Sequence, residues 1–236
     1  MGVAPAPSAR LRGVTGEPDL SFILHGVHRR LLAEELTQAL PAGVLGFRVG
    51  GSVARGTARP TSDLDLWLYW PQARPFETEE RAEILIERHG HTLERAWREV
   101  EEGSDLTLLG WAESRVLHDP GGDLARIQAE VRRRLAAYCT PEAERRRLRH
   151  WLTSTLGKLE GAAPDQATFL TRTTLWTLAE ALCAVNDHSP PAVTRMWELL
   201  PELPIQPQGD WLARLLSGQD EVQAFREVAG WVLVRL

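Results

Sequence analysis

Two aspartates two residues apart, Asp63 and Asp65, lead into the apolar run Leu64 to Trp70. Side chains in an extended chain repeat every two residues, so both carboxylates fall on one face. Charges of one sign held that close repel, and a divalent cation offsets the cost. Donors that are all oxygen select Mg²⁺ or Mn²⁺. Ser52 stands eleven residues before Asp63, at the end of a second apolar run, Val44 to Val49, that closes in Gly50-Gly51-Ser52. Glycine lets the backbone approach a ligand closely, and the N–H groups at the start of a following helix attract an anion. Ser52 adds a hydroxyl. A phosphate cradle beside paired carboxylates is the layout for metal-assisted phosphoryl or nucleotidyl transfer. The bland alternative is an ordinary Gly-Ser turn near a solvated Asp-x-Asp. A strand, Gly-Ser, Arg55-Gly56, a hydroxyl-Asp-x-Asp and a second strand in this order argue against it.

The elements that must position these residues are readable in outline. A helix capped by Asp19 or Ser21 and running to about Leu40 presents Leu31, Leu32 and Leu36 on one face. Val44 to Val49 reads as a buried strand, Val53 as the start of a short helix, and Arg59-Pro60-Thr61-Ser62 as a loop. Leu64 to Trp70 is a second strand with Leu64, Leu66 and Leu68 on the face opposite Asp65, Trp67 and Tyr69. Thr78 to about His89 is expected to be helical, with Glu79 and Glu80 in its first turn. Residues 91–100 fit a helix face, yet Glu101-Glu102-Gly103-Ser104 suits a hairpin turn with Gly103 at positive φ, leading into a strand at Asp105 to Leu109. The hairpin is the reading carried forward.

Past Asp119-Pro120-Gly121-Gly122 the pattern is helical throughout: Asp123 to Ala137, Pro141 to Leu159, Gln166 to Val185, Pro191 to Leu200 and Asp210 to Val234. The expected organisation is therefore a tail at 1–18, an α/β catalytic half at 19–120 and an all-helical half at 121–236. The fold class is α+β, a small mixed sheet followed by a helical bundle.

GGSVARGTARPTSDLDLWLY, residues 50–69, resembles the signature of the nucleotidyltransferase superfamily related to DNA polymerase beta. It is most similar to the small bacterial branch of aminoglycoside, lincosamide and minimal nucleotidyltransferases. The resemblance implies that Asp63 and Asp65 hold two Mg²⁺ ions, with Mn²⁺ a possible substitute. It implies that Gly51 and Ser52 grip the terminal phosphates, with Arg55 and Arg59 as further phosphate ligands. The family takes a third carboxylate from a neighbouring strand, and Asp105 is expected there, with Glu99 as runner-up. Some relatives use a carboxylate general base. Asp105 could serve, and Glu180, set among apolar residues, is the candidate from the helical half. The implied reaction moves a nucleoside monophosphate, AMP from ATP first, to a hydroxyl of a small-molecule acceptor. The alternatives are a protein-modifying adenylyltransferase of the antitoxin type and a catalytically silent nucleotide-binding module.

Composition narrows the classes. The formal charge is −5, which argues against a protein that grips nucleic acid by bulk charge. Lys158 is the sole lysine, so phosphate contacts must come from arginine or backbone. Leu152 and Leu159 stand where a P-loop at Gly157-Lys158 would need glycine and a hydroxyl residue. Cys139 and Cys183 make neither a disulfide framework nor a zinc spacing. No apolar run approaches the ~20 residues of a membrane span, and the N-terminus lacks a signal-peptide core. A cytoplasmic location is the expectation.

Overall fold

In the computed structural model residues 19–218 and 220–236 are described. The tail expected at 1–18 lies outside them. The chain divides into two compact units. One comprises Met1–Gly103 with Gly110–Arg132, and the other Ser104–Leu109 with Arg133–Leu236.

The first unit is built on a five-stranded mixed sheet in the order β3-β4-β2-β1-β5. Its strands are β1 (Gly46–Val49), β2 (Leu64–Tyr69), β3 (Glu77–Arg81), β4 (Ile84–His91) and β5 (Arg115–His118). β2 runs antiparallel to β1 and parallel to β4, and β1 is antiparallel to β5. Helix α1 (Gly26–Ala39) covers one face. Its Leu31, Leu32, Leu36 and Ala39 share one core with Leu64, Leu66, Leu68, Ile84 and Ile86. The short helix α2 (Gly51–Arg55) follows β1 directly.

Two expectations fail here for identifiable reasons. Residues 78–89 are not a helix but the β3–β4 hairpin. Ala82 and Glu83 turn it with φ of 54° and 62°. Burial alternates at Ile84 and Ile86, which a period of two explains and a helix does not. The charges read as a first helical turn are an exposed edge strand, where Glu and Arg discourage further pairing. Arg88 of β4 instead reaches the buried Glu35 of α1 at 2.6 and 2.7 Å.

The hairpin and strand expected across 101–109 are also absent. Helix α3 (Leu93–Glu102) begins at Thr92, whose hydroxyl accepts from Arg95 N–H. It stops at Gly103, whose φ of −69° is not the positive value a hairpin would use. Helix α4 (Asp105–Glu113) follows at once.

Helix α5 (Asp123–Ala136) then leads towards the second unit, which holds α6 (Glu142–Leu159), α7 (Pro164–Val185), α8 (Val193–Leu199), α9 (Trp211–Ser217) and α10 (Glu221–Leu233). Leu152, Leu178, Leu182, Phe225 and Val228 are central to its core. The fold is α+β, a mixed sheet and then helices. No helix among the described residues is long and apolar enough to cross a membrane.

Candidate active site

The site grows from the end of β1. Gly50 N–H donates to the Asp65 carbonyl at 2.9 Å, which ties the glycine pair to the start of β2. Each glycine makes room for a different side chain. A Cβ on Gly50 would lie 2.4 Å from Trp67 Cζ3. A Cβ on Gly51 would lie 2.0 Å from Asp65 Oδ2, and Gly51 also has φ of +60°. Position 51 is therefore closed to any larger residue twice over, by backbone conformation and by the carboxylate. The Asp65 carboxylate lies directly against the loop that opens α2.

Asp63 immediately precedes β2, exposed, and Asp65 is its second residue, on the face away from α1. In the parallel register Asp65 pairs with Glu87 of β4. Burial pushes the Asp65 carboxyl up to about 6, the charges of Asp63 and Glu87 push the same way, and Arg55 opposes them. Three carboxylates thus bear on one spot, and among the described residues no cation forms an ion pair with Asp65. His89 Nε2 lies 4.0 Å from Glu87 Oε2, and burial lowers the pKa of that ring towards its neutral form. Arg55 Nη1 bonds Glu113 at 3.1 Å, while its Nε is buried without a partner. Ser52 sits in the first turn of α2. Arg59 is exposed in the following loop, and its backbone N–H donates to Ser62 Oγ.

The structure therefore gathers Gly51, Ser52, Arg55, Asp63 and Asp65 in the first unit. It does not supply Asp105 from a strand. Asp105 opens helix α4 and belongs to the second unit. There it lines a cavity of about 270 Å³ with Tyr138, Thr140, Glu144, Glu180 and His188. Glu180 is committed to Arg147 at 3.0 Å and to Trp176 Nε1 at 2.9 Å. Glu99, on α3, pairs with Arg95 at 2.8 Å and stands 3.3 Å from His91 Nδ1. The neighbouring-strand position is held by Glu87, which the helical reading of 78–89 concealed. The alternation of Ile84 and Ile86 was the signal that could have found it.

Residues 29–104 match the family model of the nucleotidyltransferase domain. This segment resembles a nucleotidyltransferase domain. The matched segment contains β1 to β4 and with them Gly51, Ser52, Asp63, Asp65 and Glu87. None of the curated proteins matches the chain. Among solved structures it is similar to a nucleotidyltransferase-like protein from Exiguobacterium sibiricum 255-15, at 12% identity and a TM-score of 0.42 over 89% of this chain and 75% of that one.

The matched segment bears on the metal question through its donors. Among the described residues no three His, Cys, Asp or Glu side chains form a cage that could hold a metal unaided. Mg²⁺ seldom needs one, because it keeps waters and takes substrate phosphate oxygens beside one or two carboxylates. An all-oxygen donor set, and a half-buried carboxylate that burial and then its acidic neighbours push towards protonation, fit such an ion.

Proposed function

We propose that this protein transfers a nucleoside monophosphate from a nucleoside triphosphate, with ATP the donor, to a hydroxyl of a small-molecule acceptor. The observation that carries the reading is the Asp65 carboxylate. It is pressed against the Gly51 backbone, unpaired, and crowded by Asp63 and Glu87. Asp63 and Asp65 would hold Mg²⁺, or Mn²⁺ in its place, with Glu87 as the third carboxylate. Bound there, the metal supplies charge neutralisation for the triphosphate.

The remaining work falls to the chain. Gly51 and Ser52 present the first N–H groups of α2 and a hydroxyl to the terminal phosphates. Arg55 holds positive charge beside them, and its unpartnered Nε is a donor free for phosphate oxygen. Glu87, whose oxygens accept no hydrogen bond from the described residues, takes the proton of the acceptor hydroxyl as its oxygen attacks the α-phosphorus and pyrophosphate leaves. Glu180 is less suited to that step, since both its oxygens are already accepting.

Titration calorimetry of ATP with and without Mg²⁺ tests the reading, followed by an acceptor screen with labelled ATP scored by pyrophosphate release. Strongly metal-dependent ATP binding is expected. An ATP affinity that chelator leaves unchanged would favour a silent nucleotide-binding module instead.

A further inference from the structure

The sheet face that carries Asp65 and Glu87 carries a second row, one step along the strands. Arg48 of β1 pairs with Trp67 of β2, and Trp67 pairs with His89 of β4. Two residues of extended chain separate the rows by roughly 7 Å. Arg48 is 4% exposed. Its guanidinium carbon lies 4.1 Å from the Trp67 ring centre and 4.0 Å from that of Trp111. Both indoles are thus in contact with the guanidinium. Nε donates to Tyr69 Oη at 2.8 Å. Nothing else among the described residues engages it. Arg48 has no carboxylate partner, and Nη1 and Nη2 donate to no protein group.

A buried guanidinium without a counter-charge is costly, and cation–π contacts offset only part of the loss. Beside it stands a second orphan. Trp111 is 1% exposed, and its indole Nε1–H is buried with no acceptor. Both unmet groups are donors. Trp67 links them to the nucleotide loop, because its Cζ3 edge touches Gly50. Its remaining neighbour on the row is the His89 ring, stacked at 4.8 Å with 9° between planes.

We propose that Arg48, with the Trp111 N–H beside it, is an oxyanion-binding site that takes a phosphate or carboxylate group of a substrate bound over β1 and β2. The planar Arg fork with Nη1 and Nη2 free matches two oxygens of one such group. The indoles at 4.0 and 4.1 Å lower the local dielectric around the guanidinium and so strengthen the contact. For the choice of substrate this rests on the nucleotidyl-transfer reading. An anion here is either part of the donor triphosphate or an acidic group of the acceptor. The binding chemistry itself does not depend on that reading.

The test uses the full chain without nucleotide. Inorganic phosphate is titrated at constant ionic strength against chloride, following tryptophan fluorescence and thermal midpoint, and acetate is titrated likewise. Saturable binding of phosphate or acetate is expected in the wild type. It should weaken at least ~10-fold in Arg48→Met, the scale of a lost charge-assisted fork. Trp111→Phe keeps an aromatic face while removing the N–H, and should weaken it severalfold. If Arg48→Met does not fold, Arg48→Lys replaces it, keeping charge without the fork, and severalfold weaker binding is again expected. Binding of Mg·ATP then separates the sources. A parallel loss in the Arg48 variant assigns the site to the donor, and an unchanged affinity assigns it to the acceptor. The proposal is overturned if the wild type shows no saturable oxyanion effect, or if the Arg48 and Trp111 variants bind phosphate as the wild type does. Failure of the wild type to bind Mg·ATP would instead sink the nucleotidyl-transfer reading and leave the phosphate result standing.

Discussion

Asp65→Asn should stabilise the metal-free protein, and by an amount that depends on pH. The folded carboxyl titrates at about 6, against an ordinary 3.8. Between these values the native state binds more protons than the unfolded chain, so stability falls as pH rises through the window. Two pH units correspond to about 3 kcal/mol at most. Asp65 is half-buried, so solvent screens part of that, and about 1–3 kcal/mol is the working range. Asparagine keeps the shape, carries no charge and so escapes the loss. Scanning calorimetry with chelator present should therefore find the two proteins alike at pH 4. At pH 7.5 the variant should melt several degrees higher, at roughly 4 °C per kcal/mol for a unit of this size. Mg²⁺ with ATP should close the gap by stabilising only the wild type, and the variant should lose transfer. A gap that is the same at pH 4 and pH 7.5, or a variant less stable at pH 7.5, would refute the account of Asp65 as a buried, repelled carboxylate.

Other substitutions test the frame around it. Gly51→Ala forces a side chain into φ of +60° and onto Asp65 Oδ2; it should cost about 1–3 kcal/mol in chemical denaturation and lower ATP affinity at least ~10-fold. Glu87→Gln should lower turnover by about 10²-fold or more with an intact circular dichroism spectrum, while Asp105→Asn should leave turnover within about threefold, because Asp105 does not stand on the strand beside Asp65. Reversed ranks in that assay would return the third role to Asp105. Glu35→Ala removes the buried carboxylate that Arg88 grips at 2.6 and 2.7 Å, and urea unfolding should show a loss of about 3 kcal/mol or more.

The glycine-serine turn after β1 and the pair of aspartates at the start of β2 were legible because their logic is local. Gly50-Gly51-Ser52 ends a strand, and Asp63 and Asp65 share a face by the period of an extended chain. Neither inference needs a distant residue. The helices from Asp123 to Leu200 were legible for a similar reason, as periodic segments whose pattern outweighs their surroundings, whereas the single helix expected over Asp210 to Val234 is two, α9 ending at Gly218 with φ of 72°.

Glu87 was not legible in the same way. Residues 78–89 are rich in charges that suit a helix, and only pairing with β2 and the turn at Ala82-Glu83 makes them a hairpin. Strand propensity depends on neighbours far along the chain, so local sequence cannot arbitrate. Gly103 misled similarly, since a glycine after a helix serves as a stop as well as a turn, and Asp105 was carried with it onto a strand that does not exist. Arg48 shows the limit most plainly. As one arginine among 26 it carries no mark in the sequence. What sets it apart is the lack of a counter-charge beside two indoles from β2 and α4, a property of packing and not of residue type. The sequence by itself determined that Gly51 and Ser52 close one strand and that Asp63 and Asp65 share a face at the start of the next. The tertiary structure alone decided that Glu87 stands opposite Asp65 and that Arg48 lies buried with no counter-charge among the described residues, because both depend on strand register between segments the chain brings together only on folding.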